Sequence, residues 1–255
     1  MNITSIAINR YTAAFSHFLI SALVLAAFLA VMRLVWYPDF YFTANGGWEI
    51  IAILIGVDLV IGPSLTLIVF KPGKPGLKLD MTAIVLLQIA ALLYGGSVIY
   101  KERPLYMVYY SDTFEIVTAN ELAQLNPGKE IVKDVDGSGR WPQLVYAELP
   151  ADKTLRAQLT QEVLEGKFRP PQRPEYYQAL TPHLQKVAGN AIDKQTYIDW
   201  KGLSTQEVEQ LVGDASMDMI VFYTVYGKRK DPIIALDMST GEVVGWVVPP
   251  DREKK

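Results

Sequence analysis

The chain has 255 residues, half of them apolar and one fifth charged, with no cysteine and a formal net charge of −3. Soluble domains carry about a quarter charged residues, and here the deficit lies in the first part: residues 1–100 hold five basic and four acidic side chains, the other 155 hold 19 and 23. This excludes a purely soluble globule, a nucleic-acid binder, which needs a strongly basic region, and any disulfide framework, thiolate metal site or cysteine nucleophile.

Three apolar runs, at about 13–35, 48–70 and 79–100, have the roughly 20 residues that a bilayer demands. They predict a membrane domain over residues 1–103 with three transmembrane helices. No small-x-small cleavage site follows the first run and two more runs do, so it reads as an uncleaved span rather than a secretion signal. Lys71, Lys74 and Lys78 crowd the second connection, whereas the first carries Asp39 and no Lys or Arg. The excess of lysine places that loop and the N-terminus in the cytoplasm and everything after the third span outside. Arg33 dissents mildly, and its long side chain can snorkel to the headgroups. The rings of Trp36, Tyr37, Phe40, Tyr41, Phe42 and Trp48 predict an aromatic belt at the outer interface.

Asp58 lies ten residues into the second span, about 15 Å deep at 1.5 Å per residue. A carboxylate at that depth is expensive and faces other helices, not lipid. At helical spacing it shares a stripe with Gly62 and Thr66, residue types that let membrane helices approach closely. Pro63 frees a backbone carbonyl one turn back. The third span offers Gln88, Ala91 and Gly95 as a matching face, with Tyr94 at the depth of Asp58 and Gln88 nearer Gly62. The carboxyl reads either as a neutral hydrogen-bonding lock or as a proton-relay or partner-binding group. The lock is the simpler reading, because only Asp58 is central, His17 sits near the cytoplasmic end, and a relay or transport path needs several such groups.

Residues 104–255 read as an extracytoplasmic α+β domain with an antiparallel sheet. Strands are predicted at 105–110 and 114–118 around a Ser-Asp-Thr turn, and at 144–149. Asn120 caps a short helix ending before Pro127-Gly128. A helix over 152–165 carries Leu155, Leu159 and Val163 on one stripe. Pro170, Pro171 and Pro174 stiffen the loop that follows, and helical stretches come at 175–180 and 182–188. Ser204 and Glu207 form a capping box. Strands at 219–226, 233–237 and 243–248 form an antiparallel meander.

Catalytic signals are sparse, and the chain reads as a non-enzyme without a cofactor. His183 is alone in this domain and reads as an exposed helix-start residue. Asp134-Val-Asp136-Gly-Ser138-Gly139 matches the first half of a calcium loop, yet Val145 stands where the bidentate glutamate belongs, so a solvated turn is the better reading.

Several strings together resemble the TfpX/TfpZ-type (FimB-like) accessory proteins of type IV pilin. They are Arg10-Tyr11, Trp36-Tyr-Pro38, Gly46-Gly-Trp48, Leu86-Leu-Gln88, Pro104 and above all the block from Gly56-Val-Asp58 through Gly62-Pro63 and Thr66 to Phe70-Lys71-Pro72-Gly-Lys74. The likeness covers about the first 150 residues well and the rest loosely. Ser64 stands where leucine is more usual. The resemblance implies a multi-pass protein of the bacterial inner membrane that assists type IV pilin in pilus biogenesis as a chaperone-like or assembly-modulating factor. Its partners would be the major pilin, the pilus assembly machinery and the lipid bilayer. The rival readings are a membrane sensor with a periplasmic ligand-binding domain and a pilin-modifying enzyme. The first lacks an output domain and the second a catalytic constellation.

Overall fold

The fold is that of a computed structural model, which describes residues 9–125, 132–167 and 169–249. Contacts divide the chain into two units: residues up to Pro38 together with Gly47–Tyr100, and Asp39–Gly46 together with the residues from Lys101 onward.

In the first unit lie α1 (Arg10–Trp36), α3 (Gly47–Val69) and α4 (Leu77–Lys101), each long and apolar enough to cross a membrane. Their bounds fall within three residues of the predicted runs. Asn9 caps α1, its side chain accepting from the Tyr11 and Thr12 amides at 2.9 Å. Two π-helical stretches interrupt regular winding, Met32–Trp36 in α1 and Gly56–Ile61 in α3. The α4 glycines provide its contacts: Gly95 faces Leu54 of α3, and Gly96 faces the Phe28 ring of α1. Tyr37 adds a bond from its hydroxyl to the Ile99 carbonyl at 2.8 Å. Between α3 and α4, Pro72-Gly73 and Pro75-Gly76 make two successive turns, closed by Lys74 N–H to Lys71 O and Leu77 N–H to Lys74 O. Each glycine has positive φ, 76° and 82°, as the third position of a type II turn requires.

The short helix α2 (Tyr41–Ala44) belongs to the second unit, and here the structure departs from the predicted belt. Phe40, Tyr41 and Phe42 are buried. The Ala44 carbonyl accepts from the Arg229 and Lys230 amides at 2.9 and 3.3 Å, and Phe40 stacks on Tyr41 at 4.3 Å while its ring meets Trp246 at 6.1 Å. Once these backbone groups are paired, the rings pack on protein. Trp48 stays exposed.

The rest of this unit is a seven-stranded sheet with helices: β1 (Pro104–Tyr110), β2 (Thr113–Thr118), α5 (Ala119–Leu125), β3 (Gln143–Ala147), α6 (Lys153–Leu164), β4 (Tyr177–Ala179), α7 (Leu184–Gly189), α8 (Lys194–Lys201), α9 (Thr205–Val212), β5 (Ile220–Tyr226), β6 (Ile233–Asp237) and β7 (Val243–Val247). The spatial order is β4-β3-β1-β2-β5-β6-β7. The predicted hairpin β1–β2 and meander β5–β6–β7 are present. The sheet as a whole is mixed, because β3 joins β1 and β5 joins β2 in parallel. Those two junctions bring together segments far apart in sequence, which no turn signal announces. They also place β1 inside the sheet, and six of its seven residues are buried, as expected of a strand covered on both faces.

Three smaller expectations change. Residues 177–179, expected to be helical, form β4 against β3, with the Tyr177 hydroxyl bonded to the Pro171 carbonyl. Of the stripe on α6, Leu159 is buried and Leu155 exposed. The helix α8 was not foreseen, although Asp193 accepts from the Thr196 amide at its start and Gly202, with φ 60°, ends it. Pro127-Gly128, expected to end α5, lies outside the described residues.

Candidate functional site

Among the described residues of the apolar unit, a polar cluster is built around the π-helical stretch of α3. In that stretch the Gly62 N–H reaches the Val57 carbonyl five residues back. The next bond in this register would run from residue 63 to the Asp58 carbonyl, and Pro63 has no N–H. The orphaned carbonyl takes its donor from α4: Gln88 Nε2 lies 3.3 Å from Asp58 O and 3.4 Å from Asp58 Oδ1. A carbonyl oxygen only accepts, so the amide nitrogen must face Asp58 and the amide oxygen must face away. That oxygen meets His17 Nε2 of α1 at 2.6 Å, which assigns the Nε2 proton to His17. His17 Nδ1 lies 2.6 Å from Thr66 Oγ1.

Gly62 makes the approach possible. A Cβ on it would stand 2.2 Å from Gln88 Nε2, so any side chain there would displace the amide. Asp58 and Thr66 are buried, and Gln88 is half-buried. The structure brings the sequence candidates Asp58, Gly62, Pro63, Thr66 and Gln88 into one locus. Sequence reasoning missed His17, whose position seven residues beyond the start of α1 gave no hint that it would bond to two other helices. It also misassigned Tyr94, which is 75% exposed and makes no bond to Asp58. Lys71, Lys74 and Lys78 lie in or beside the tandem turns, with Lys74 paired to Asp80 at 2.6 Å.

Chemically the cluster links α1, α3 and α4 by hydrogen bonds. Asp58 and His17 are separated by a primary amide, which donates and accepts but does not readily pass a proton through. The cluster opens laterally on a groove of about 400 Å³ between α1 and α4.

The α+β unit offers a second kind of surface. The hairpin turn Ser111-Asp112 has positive φ at both positions, 48° and 66°, the geometry of a two-residue hairpin that Asn-Gly usually fills. Clefts of about 360 and 240 Å³ flank it, both bordered by Asp112 and Asn190. Exposed Ile192, Trp200 and Tyr226 rim the second. Beneath it burial pushes the Tyr197 phenol up to about 12, its hydroxyl bonded to Thr224 Oγ1 at 2.6 Å. His183 is half-buried: its ring stacks on Tyr146 at 4.2 Å and its Nε2 bonds to Gln178. In the Asp134 turn the carboxyl oxygens accept from the Gly137 and Gly139 amides at 2.9 and 3.0 Å and from Gln143. These bonds, that from Gln143 first, hold the acid below the usual carboxylate range. Among the described residues no group of three His, Cys, Asp or Glu side chains could hold a metal ion.

Comparison with known proteins gives the kinship. Over 109 residues the chain is 33% identical to the fimbrial assembly protein of serogroups C1 and C2 of Dichelobacter nodosus, covering 42% of this chain and 82% of that protein. Over 210 residues it is 26% identical to the serogroup E1 protein of the same organism, covering 80% of each chain. The serogroup I protein matches at 25% identity over the same length. The chain belongs to this family of fimbrial assembly proteins. No family model and no solved structure matches it.

Proposed function

We propose that the protein is an inner-membrane accessory factor for type IV pilin, acting as a chaperone-like modulator of pilus assembly and binding pilin through both of its units. The observation that carries this reading is the extent of the kinship: a 210-residue match is longer than either unit, so the likeness to fimbrial assembly proteins spans apolar helices and α+β unit together. Pilin awaits assembly as one apolar helix in the membrane with a globular head in the periplasm. A partner that offers one surface in lipid and one in water matches both parts, and two modest contacts on one molecule reinforce each other through effective concentration. The rim of Ile192, Trp200 and Tyr226 supplies apolar surface of the kind found at interfaces.

The orientation in this reading follows from the tandem-turn lysines: N-terminus and Lys71–Lys78 loop in the cytoplasm, α+β unit in the periplasm. Alkaline phosphatase fused after residue 110 is expected to be active, and fused at residue 75 inactive. The partner is tested by photocrosslinking in piliated cells from a probe at Ile192, followed by immunoblotting for pilin. A pilin adduct supports the reading. The reverse fusion pattern, or a probe that captures other proteins and never pilin, refutes it.

A further inference from the structure

The cleft of about 240 Å³ beside the Ser111-Asp112 turn is built of rings. Tyr197, Phe222 and Tyr223 are buried beneath it, and Trp200 and Tyr226 stand exposed at its rim. The Tyr197 and Trp200 rings meet nearly at right angles, 87° with centroids 6.0 Å apart, and so form a corner and not a flat wall. The face of an aromatic ring is negative and draws a cation. This corner already does so: the Lys201 ammonium lies 4.5 Å from the Trp200 centroid and 5.7 Å from that of Tyr197. Among the residues that border the cleft, Asp112 alone carries a formal charge. Its side chain is exposed and is steadied by the Tyr109 hydroxyl, which donates to Oδ1 at 3.2 Å. The neighbouring cleft of about 360 Å³ is bordered by Arg156 and Lys186 as well as Asp112 and Glu148, and so selects neither sign of charge. The ringed cleft combines π faces with one carboxyl, the groups that together recognise a cation.

We propose that this cleft receives a lysine or arginine side chain from the pilin head, its cation held between the aromatic rings and the Asp112 carboxyl. The proposal rests on the pilin reading above and names the chemistry of the contact made in water. Size favours a side chain over a free small molecule: pockets for such molecules are about 300 to 1,000 Å³, and this cleft is smaller. The rim favours a protein as the bearer of that side chain. Ile192, Trp200 and Tyr226 are 45 to 60% exposed, and apolar surface around a charged anchor covers the residues beside it and shuts out water, as at the centre of a protein interface.

Photocrosslinking from Ile192 of the full chain in piliated cells, read as pilin adduct relative to the amount of the protein in the membrane, tests this. Asp112→Asn removes the charge and keeps the turn, since asparagine accepts a left-handed backbone as aspartate does. It is expected to lower the adduct about fivefold, as is Trp200→Leu, which keeps apolar bulk and loses the π face. Asp112→Lys is expected to abolish the adduct, and the change of one lysine or arginine of the pilin head to glutamate is expected to restore it, which a misfolded variant would not allow. Leu164→Ser, exposed on α6 outside the cleft, is expected to change nothing. With the full-length protein in detergent and purified pilin, added salt is expected to weaken binding of the parent more than that of Asp112→Asn, because screening acts on charge. Three results overturn the cation site while the pilin reading stands: an adduct undiminished in Asp112→Asn or in Trp200→Leu, an Asp112→Lys protein that no pilin charge reversal restores, or equal salt dependence of parent and Asp112→Asn. If the parent chain yields no pilin adduct, the pilin reading falls and the cation site with it.

Discussion

Gly62 in the apolar unit and Gly245 in the sheet face the same steric demand from opposite kinds of neighbour. A Cβ on Gly62 would stand 2.2 Å from the end of the Gln88 side chain, and one on Gly245 would stand 2.2 Å from the Leu211 backbone carbonyl. In the sheet, glycine lets α9 lie directly on β7, and Leu211 is fully buried there among Tyr197, Phe222, Ile233 and Val247. Many apolar contacts share that load. Among the apolar helices, glycine admits one amide that serves a carbonyl, a carboxyl and an imidazole. Lipid offers no hydrophobic drive between helices, so in that unit a few polar bonds add to van der Waals packing, whereas apolar burial dominates in the other.

This contrast predicts different responses to the same substitution. Gly245→Ala is expected to destabilise the protein by about 3 kcal/mol, the upper end of overpacking, because a helix backbone cannot swing aside. Trimming neighbouring side chains should not restore it. Denaturant unfolding of the full chain in detergent, read by near-ultraviolet dichroism, measures this. Gly62→Ala is expected to cost about 1 to 2 kcal/mol through the lost amide bonds. Because the obstacle is a side chain, Gln88→Ala should make the second substitution nearly free of further cost. A double-mutant cycle on membrane abundance reads the coupling, and additive losses would remove the distinction between the two glycines.

Acid should separate the units further. Backbone N–H groups hold Asp152 and Asp193 below the usual carboxylate range, as the Ser204 hydroxyl and amide hold Glu207 and the Ser239 hydroxyl and amide hold Asp237. A depressed folded-state pKa contributes stability that is present above the unfolded value, about 4, and is lost as pH falls through the folded value. Glu115 acts in the opposite sense. Burial raises its pKa against the ion pair with Arg169, so its cost is present above the unfolded value and is relieved in acid. With several depressed acids against one raised one, the α+β unit should lose stability below about pH 4, and Asp152→Ala should flatten that loss. The smallest effect belongs to Tyr94→Phe, within about 0.5 kcal/mol of the parent, since the ring is exposed and does not bond Asp58.

Much of this was readable from local pattern. Apolar runs of bilayer length located the three long helices. Capping boxes and alternating strands located α9 and the β5–β7 meander. A carboxylate one turn from glycine and proline marked the cluster. The unread parts are non-local. The parallel pairings β1–β3 and β2–β5 depend on which distant strands meet, and the burial of Phe40, Tyr41 and Phe42 depends on the Ala44 carbonyl finding amides near residue 230. His17 was missed for the same reason, since its two partners lie on α3 and α4. The α8 helix is the exception, because Asp193 and Gly202 were legible end signals that went unused.

The Asp58–Gln88 tie is expected to hold α4 against α3. The chain has no cysteine, so a single introduced pair reports without background. Leu54→Cys with Gly95→Cys places two thiols where Gly95 now faces Leu54 at 3.7 Å, and a short bifunctional thiol reagent in native membranes measures their approach. Efficient crosslinking is expected in the parent, with little change in Tyr94→Phe and a severalfold loss in Asp58→Leu at equal protein abundance. Crosslinking that persists undiminished in Asp58→Leu would contradict it.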